Sequence, residues 1–313
     1  GNPLGGRKGT ADSGRIVEDI TPPAEKTTLS TEVTESKWCD RCKKMVSSTS
    51  EKALPGSDIG LNTLIEMAYL WVMCALSLPK IRDLFIDFKT LKLSTAGISR
   101  IMIRLSGILQ PVYEEILDDV KQGARIWADE TGWRVGGGKA WLHAFATVHT
   151  VWYEIDPTRS GDVATRLLGL DWSGRLVHDG WSVYNRFLCA IHQQCNAHLL
   201  NRCKELLEVA RRGAVRFPLA VKGLLQQGLA VRDRFSAGEM SPHGLRVSAG
   251  RLTTRLERVV AGRFTHDGNR RLANFLNDHL YEVFAYLRHP GMAATNYRGE
   301  QSIRPAVVNR KVW

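Results

Sequence analysis

The run from Arg125 to Val135 constrains this chain more than any other stretch. With its β-prone residues (Ile126, Trp133, Val135), it reads as a buried strand that delivers a carboxylate, Asp129, to its exposed end. Gly136, Gly137 and Gly138 follow, a cluster that lets the backbone double back. Lys139 to Val148 then reads as the return strand and Val151 to Ile155 as a third. The expected frame is therefore a three-strand meander with Asp129 on its first strand.

Beyond the meander, Gly161 to Leu170 reads as a helix, and Gly174 to Trp181 as a fourth strand with Asp179 at its end. Taken alone, Asp179-Gly180 is a turn signature. Two strands of one sheet that each finish on Asp are less easily dismissed, because neighbouring carboxylates repel unless a cation lies between them. Residues 187 to 210 combine a short apolar strand with a helix and hold His192, Cys195, His198 and Cys203. Three-residue steps walk around a helix axis, so these four cannot all face one ion.

Upstream, residues 1 to 36 are rich in Gly, Thr, Ser, Pro and Glu without apolar periodicity and read as a flexible arm. Cys39-Asp40-Arg41-Cys42 has the spacing of one half of a zinc site, but no second Cys-x-x-Cys follows. The pair is either part of a zinc region or a reduced, metal-free turn. Six cysteines in 313 residues do not make a disulfide framework. After Pro55-Gly56-Ser57, three helices are expected: one over Leu61 to Val72, one starting at Pro79, and one capped by Ser94 that carries Ile98, Ile101, Met102 and Leu105. Such a set suits either a helix-turn-helix unit, with Ser99, Arg100 and Arg104 on its reading face, or a plain helical bundle.

Charge points to the partner. The formal net charge is +11, and residues 201 to 295 hold 16 Lys and Arg against 8 Asp and Glu. This basic helical stretch, which includes Arg211, Arg212 and Arg216, is either a solvated face or a phosphate-binding one, and a one-sign surface of that size attracts phosphate in both cases. No N-terminal apolar run resembles a signal peptide, and Met67 to Leu78 is too short for the roughly 20 residues of a spanning helix, so the chain reads as cytoplasmic with no membrane partner. The last segment places Glu300 early in a helix expected to stop at Pro305, and the chain ends with strand character at Val312-Trp313. Starting without Met and stopping there, it reads as a fragment.

Taken in order, Asp129-Glu130-Thr131 with Trp133, His178-Asp179-Gly180, Cys195-Asn196-Ala197-His198, and Thr295-Asn296 through Glu300 to Ile303-Arg304-Pro305 with Arg310-Lys311 resemble a DDE transposase of the insertion sequence 66 family. The likeness runs from about residue 38 to the end. It implies an α/β fold: a ribonuclease H-like mixed sheet with a helical insertion, preceded by a small helical, helix-turn-helix-like domain. The implied boundaries are an arm with a partial zinc region (1–57), the helical domain (58–122), a first part of the catalytic core (123–205), the basic insertion (206–290) and a second part carrying the Glu (291–313). The family's zinc region resembles two Cys-x-x-Cys pairs, of which Cys39 and Cys42 supply one, and the family continues beyond the end of this sequence.

By the same resemblance, Asp129, Asp179 and Glu300 are the catalytic and metal-binding triad, and Cys195 and His198 form a C-x-x-H element with a structural role near the site. The implied cofactors are two Mg²⁺ or Mn²⁺ ions, with Asp129 bridging them and Asp179 and Glu300 each on one, plus Zn²⁺ where the N-terminal site is complete. The implied activity is phosphodiester hydrolysis followed by transesterification at the element's terminal inverted repeats and in target DNA. Double-stranded DNA, further copies of the chain and small accessory proteins of the same element are the implied partners, at the nucleoid. A truncated copy that binds DNA without cutting it, and a ribonuclease H-like nuclease, are the competing readings.

Overall fold

The computed structural model describes residues 27–31, 33, 35–47 and 51–312, so most of the expected arm lies outside the described residues. The chain forms two compact units, residues 1–102 and 103–313.

In the first unit, β1 (Ser36–Cys39) and β2 (Lys44–Ser47) form an antiparallel hairpin. Cys39 and Cys42 sit at its turn, where Lys43 adopts a left-handed φ of 52°. The Cys42 backbone N–H directed at the Cys39 sulfur holds that thiol below its ordinary pKa. Three helices follow: α1 (Leu61–Val72), α2 (Leu78–Lys89) and α3 (Thr95–Ile108). Pro79 fits the first turn of α2, where its missing N–H has no intrahelical partner to lose. Ser94 accepts the Gly97 N–H at 3.0 Å, as an N-cap should. Met67, Ile81, Phe85, Ile98 and Met102 close the core of this unit. Ile98 and Met102 are its innermost residues from α3, while Ile101 and Leu105, the other two apolar residues read from the sequence of this helix, are half-buried.

The second unit opens with α4 (Gln110–Gln122), which comes from the stretch that sequence assigned to the helical domain. Its Val120 is fully buried against a five-stranded mixed sheet built from β3 (Arg125–Val135), β4 (Gly138–Ala146), β5 (Val151–Asp156), β6 (Arg175–His178) and β7 (Ile191–Gln194). The spatial order is β5-β4-β3-β6-β7, with β3, β4 and β5 antiparallel and β3, β6 and β7 parallel. The helix α5 (Asp162–Leu168) makes the crossover between β5 and β6.

Strand alternation sorts the side chains between two faces. Ile126, Ala128, Phe145, Trp152 and Leu176 point to one face and pack with Val120 of α4 and Val163, Ala164 and Leu167 of α5. Trp127, Ala146 and Val177 point to the other, where α6 (Asn196–Val209), α7 (Arg216–Ser236), α8 (Pro242–Val260), α9 (Asp267–Asp278) and the short α10 (Ala285–Arg288) build the larger core. On that same face the last helix, α11 (Tyr297–Asn309), sets Ile303 against Leu142 and Ala144. Each such aliphatic side chain, fully buried, contributes about 1.5–3 kcal/mol.

Two sequence expectations at the end of the chain are corrected. Pro305 does not stop α11, which runs on to Asn309. Both Pro305 and Gln301, whose carbonyl loses its partner to the proline, lie on the exposed face, so water can satisfy the freed group. Residues 310 to 312 form a turn rather than a strand. No helix among the described residues is long and apolar enough to cross a membrane.

Candidate active site

The β3/β6 register pairs Arg125 with Arg175, Ile126 with Leu176 and Trp127 with Val177. Carried two residues further, it sets Asp129 level with Asp179, just past the end of β6. Both share the parity of Trp127 and Val177, so both belong to the face that receives α11. Asp129, Asp179 and Glu300 are all half-buried, each with water access.

Each carboxylate is placed by local chemistry. The Glu130 N–H donates to Asp129 Oδ1 at 3.0 Å. The Trp181 N–H donates to Asp179 Oδ1 at 2.9 Å, an Asx turn made sharp by Gly180 at φ +92°. A Cβ at Gly180 would lie 2.7 Å from Gln194 Oε1 and 2.8 Å from Phe275 Cζ, so only glycine fits both the angle and the space. Glu300 rides the first turn of α11, whose cap residue Asn296 is fully buried. Asn296 donates its side-chain amide to the Ala128 carbonyl at 2.9 Å and its backbone N–H to Cys195 Sγ at 3.1 Å. Further along, Tyr153 donates to the Ser302 carbonyl and Arg310 to the Gly132 carbonyl, so α11 is fastened to the sheet over its whole length.

The electrostatics are those of crowded acids. Burial, with the charges of Glu130, Asp179 and Glu300, pushes the Asp129 carboxyl up to about 7, against the opposing Glu130 N–H. Glu130 points to the opposite face, where its carboxylate, 1% exposed, pairs with Arg159 at 2.6 Å and accepts from the Tyr184 hydroxyl at 3.3 Å. The Arg159 guanidinium in turn lies 4.7 Å from the ring centres of both Trp141 and Trp181. His198 Nδ1 faces Glu300 Oε1 at 3.6 Å. The Cys195 sulfur first, then the charges of Glu300 and Asp179, raise the His198 imidazole to about 9 despite burial.

A second histidine braces the Asp179 turn. Gly180 donates its N–H to His178 Nδ1 at 3.2 Å, which leaves the His178 proton on Nε2. That proton is directed at His192 Nδ1, 3.0 Å away, and His192 Nε2 donates to the Phe187 carbonyl at 2.9 Å. Sequence reasoning missed this relay, Asn296 and Arg159. Asn296 stood inside a quoted motif and could have been read as a cap before Glu300, whereas nothing in the sequence links Arg159 to Glu130.

Of the other sequence candidates, Arg100 and Arg104 are exposed and Ser99 is half-buried on α3. Arg211, Arg212 and Arg216 are exposed between α6 and the start of α7, with Arg211 donating to the Glu208 and Ala210 carbonyls at 2.8 and 2.9 Å. His192 and Cys203 lie away from the Cys195/His198 pair: His192 joins His178, and Cys203 is buried in the larger core.

Three half-buried carboxylates beside the end of a parallel strand pair, on a mixed five-stranded sheet covered on both faces by helices, define an α/β protein with an acidic strand-end site. The family model described as Transposase IS66 family matches residues 60–313, and the chain belongs to that family. No curated protein matches the chain.

Proposed function

We propose that the protein is a DDE-type transposase whose five-stranded sheet is a ribonuclease H-like catalytic core. In this reading residues 123–205 and 291–313, with α4 packed beneath the sheet, form the core, 206–290 a basic insertion, and the helices before α4 a domain that reads the element's ends. The observation that carries it is the β3/β6 register, which levels Asp129 with Asp179 on the face where α11 brings Glu300.

The donor set fits hard divalent cations. Mg²⁺ and Mn²⁺ take oxygen ligands and retain several waters, which half-buried carboxylates with water access permit. Burial first, then the charges of Glu130 and Asp179, pushes Asp129 up, and a cation bound there would oppose that push. Bound at Asp129, Asp179 and Glu300, such cations would neutralise the attacked phosphate and ionise the attacking water. The chain's own residues hold the acids in place: the Asx turn at Asp179, the Glu130 N–H at Asp129 and the Asn296 cap beneath Glu300. Arg212 and Arg216 offer unshielded charge to a phosphate backbone.

The test is to replace Asp129, Asp179 and Glu300 singly with Ala and follow cleavage and strand transfer of duplex bearing the element's ends in Mg²⁺ or Mn²⁺. Loss in all three variants supports the assignment. Near-normal cleavage in any one removes that residue from the triad.

A further inference from the structure

Two groups of metal-ligating side chains bring their donor atoms within 4.8 Å of one another among the described residues: His178 with His192 and Glu282, and Cys195 with His198 and Glu300. The three acids Asp129, Asp179 and Glu300 do not close to that spacing. The first group is already committed, since the Gly180 N–H occupies His178 Nδ1 and the His178 proton occupies His192 Nδ1. Glu282 likewise accepts from His279 and Gln194. A cation there would have to break a complete hydrogen-bond chain.

The second group is less committed, because His198 Nδ1 has no hydrogen-bond partner. Cys195, 1% exposed, caps the N-terminus of α6, and His198 stands one turn on, so both donors lean to the same side. His198 Nδ1 is buried without a hydrogen bond and faces Glu300. Cys195 Sγ accepts the Asn296 backbone N–H at 3.1 Å and stands beside the His198 ring, and a backbone N–H directed at sulfur also stabilises a metal-bound thiolate. One sulfur, one imidazole nitrogen and one carboxylate make a donor set for a borderline-soft ion, with a fourth position left for water.

We propose that Cys195, His198 and Glu300 form a binding site for Zn²⁺ or a similarly soft divalent cation, separate from the all-carboxylate site but sharing Glu300 with it. Occupation deprotonates the Cys195 thiol and the His198 ring, releasing their protons to solvent. It also ties Glu300 to α6, so the soft ion and the Asp129/Asp179 pair compete for one carboxylate. The site needs no transposition chemistry; only the competition rests on the transposase reading.

Cobalt is the probe, because a thiolate ligand gives Co²⁺ a charge-transfer absorption that oxygen ligands do not. The full chain carrying Cys39→Ser and Cys42→Ser, which removes the hairpin thiols, is titrated with Co²⁺ in the absence of DNA. The expected result is a band that saturates at equimolar cobalt, survives Asp129→Ala and disappears with Cys195→Ser. Loss of outer partners of metal ligands already costs about 10–100-fold in affinity, so Glu300→Ala and His198→Ala should each weaken Co²⁺ at least about tenfold. These two variants decide the matter if Cys195→Ser perturbs folding. No band in the double-serine chain, a band that outlives Cys195→Ser in a folded protein, or unchanged affinity in both other variants overturns the site. Zn²⁺ should then inhibit Mg²⁺-dependent cleavage; a chain that never cleaves yet keeps the band would sink the transposase reading alone.

Discussion

Asn296 donates its amide to the carbonyl of Ala128, the residue before Asp129, across 168 positions of sequence. One hydrogen bond thus ties the strand that carries the first acid to the helix that carries the last. Asn296→Ala leaves a buried carbonyl unpaired and should destabilise the second unit by about 1–3 kcal/mol. Thermal melting measures the loss, and metal-dependent cleavage should fall further than the stability change explains. Melting indistinguishable from the parent would mean that the bond is replaced by water.

Stability should depend on pH through Asp129. Its folded-state carboxyl lies at about 7, above the ordinary 3.8, so folding favours the protonated form. The contribution is fully present below the unfolded pKa and is lost as pH rises toward about 7, because over that window the native state binds the proton and the unfolded state does not. Without metal, urea denaturation should show stability declining by about 1–3 kcal/mol across this window, and Asp129→Asn should flatten the decline. Mg²⁺ should raise the melting temperature at pH 8 in the parent more than in Asp129→Asn or Asp179→Asn. Equal gains in all three would place the ion elsewhere.

Sequence-independent DNA affinity should rest on the insertion. Each lost phosphate contact flattens the slope of log K against log salt by about 0.9 on duplex DNA. Arg212→Ala and Arg216→Ala should each approach that value. Arg211→Ala should change the slope less, because its guanidinium already serves the carbonyls at the end of α6. The discriminating measurement is binding to random duplex over a salt series, and an unchanged slope in the Arg212/Arg216 double variant would remove this surface from the interface.

End recognition is expected on α3. Arg100 is exposed on the side opposite the buried Ile98 and Met102. If it reads a base edge, Arg100→Ala should cost about 1–3 kcal/mol on end sequences and far less on random duplex, since phosphate contacts carry no sequence information. Competition binding compares the two; equal losses would reduce α3 to a phosphate-contacting or structural element.

The sheet was the legible part of this fold. Strand periodicity, the glycines at 136–138 and the β-prone run to Val135 fix the meander, because each signal is local. The same patterns put Asp129 on the first strand and Asp179 just past the fourth, but the expectation that both strands finish on Asp is corrected: β3 continues past Asp129 to Val135, because its pairing with β4 runs on where the parallel pairing with β6 stops. The packing of α4 beneath the sheet was not legible: its apolar stripe says that it needs a partner and is silent on which. Pro305 misled because its cost depends on whether the freed carbonyl faces water, a property of the folded helix. The turn of His198 toward Glu300 joins residues on α6 and α11, and their sequence spacing encodes nothing about it.

The delivery of Glu300 by a helix that follows the whole α6–α10 insertion has a temporal consequence. The sheet can form from residues close in sequence, whereas α11 must wait for the intervening helices before it docks on β3 and β4. Synthesis runs from the N-terminus, so a ribosome-bound chain holds both aspartates long before it holds the glutamate. In the proposed reading, competence to cut would then be the last property the nascent molecule acquires, and a polypeptide abandoned midway would lack the third acid.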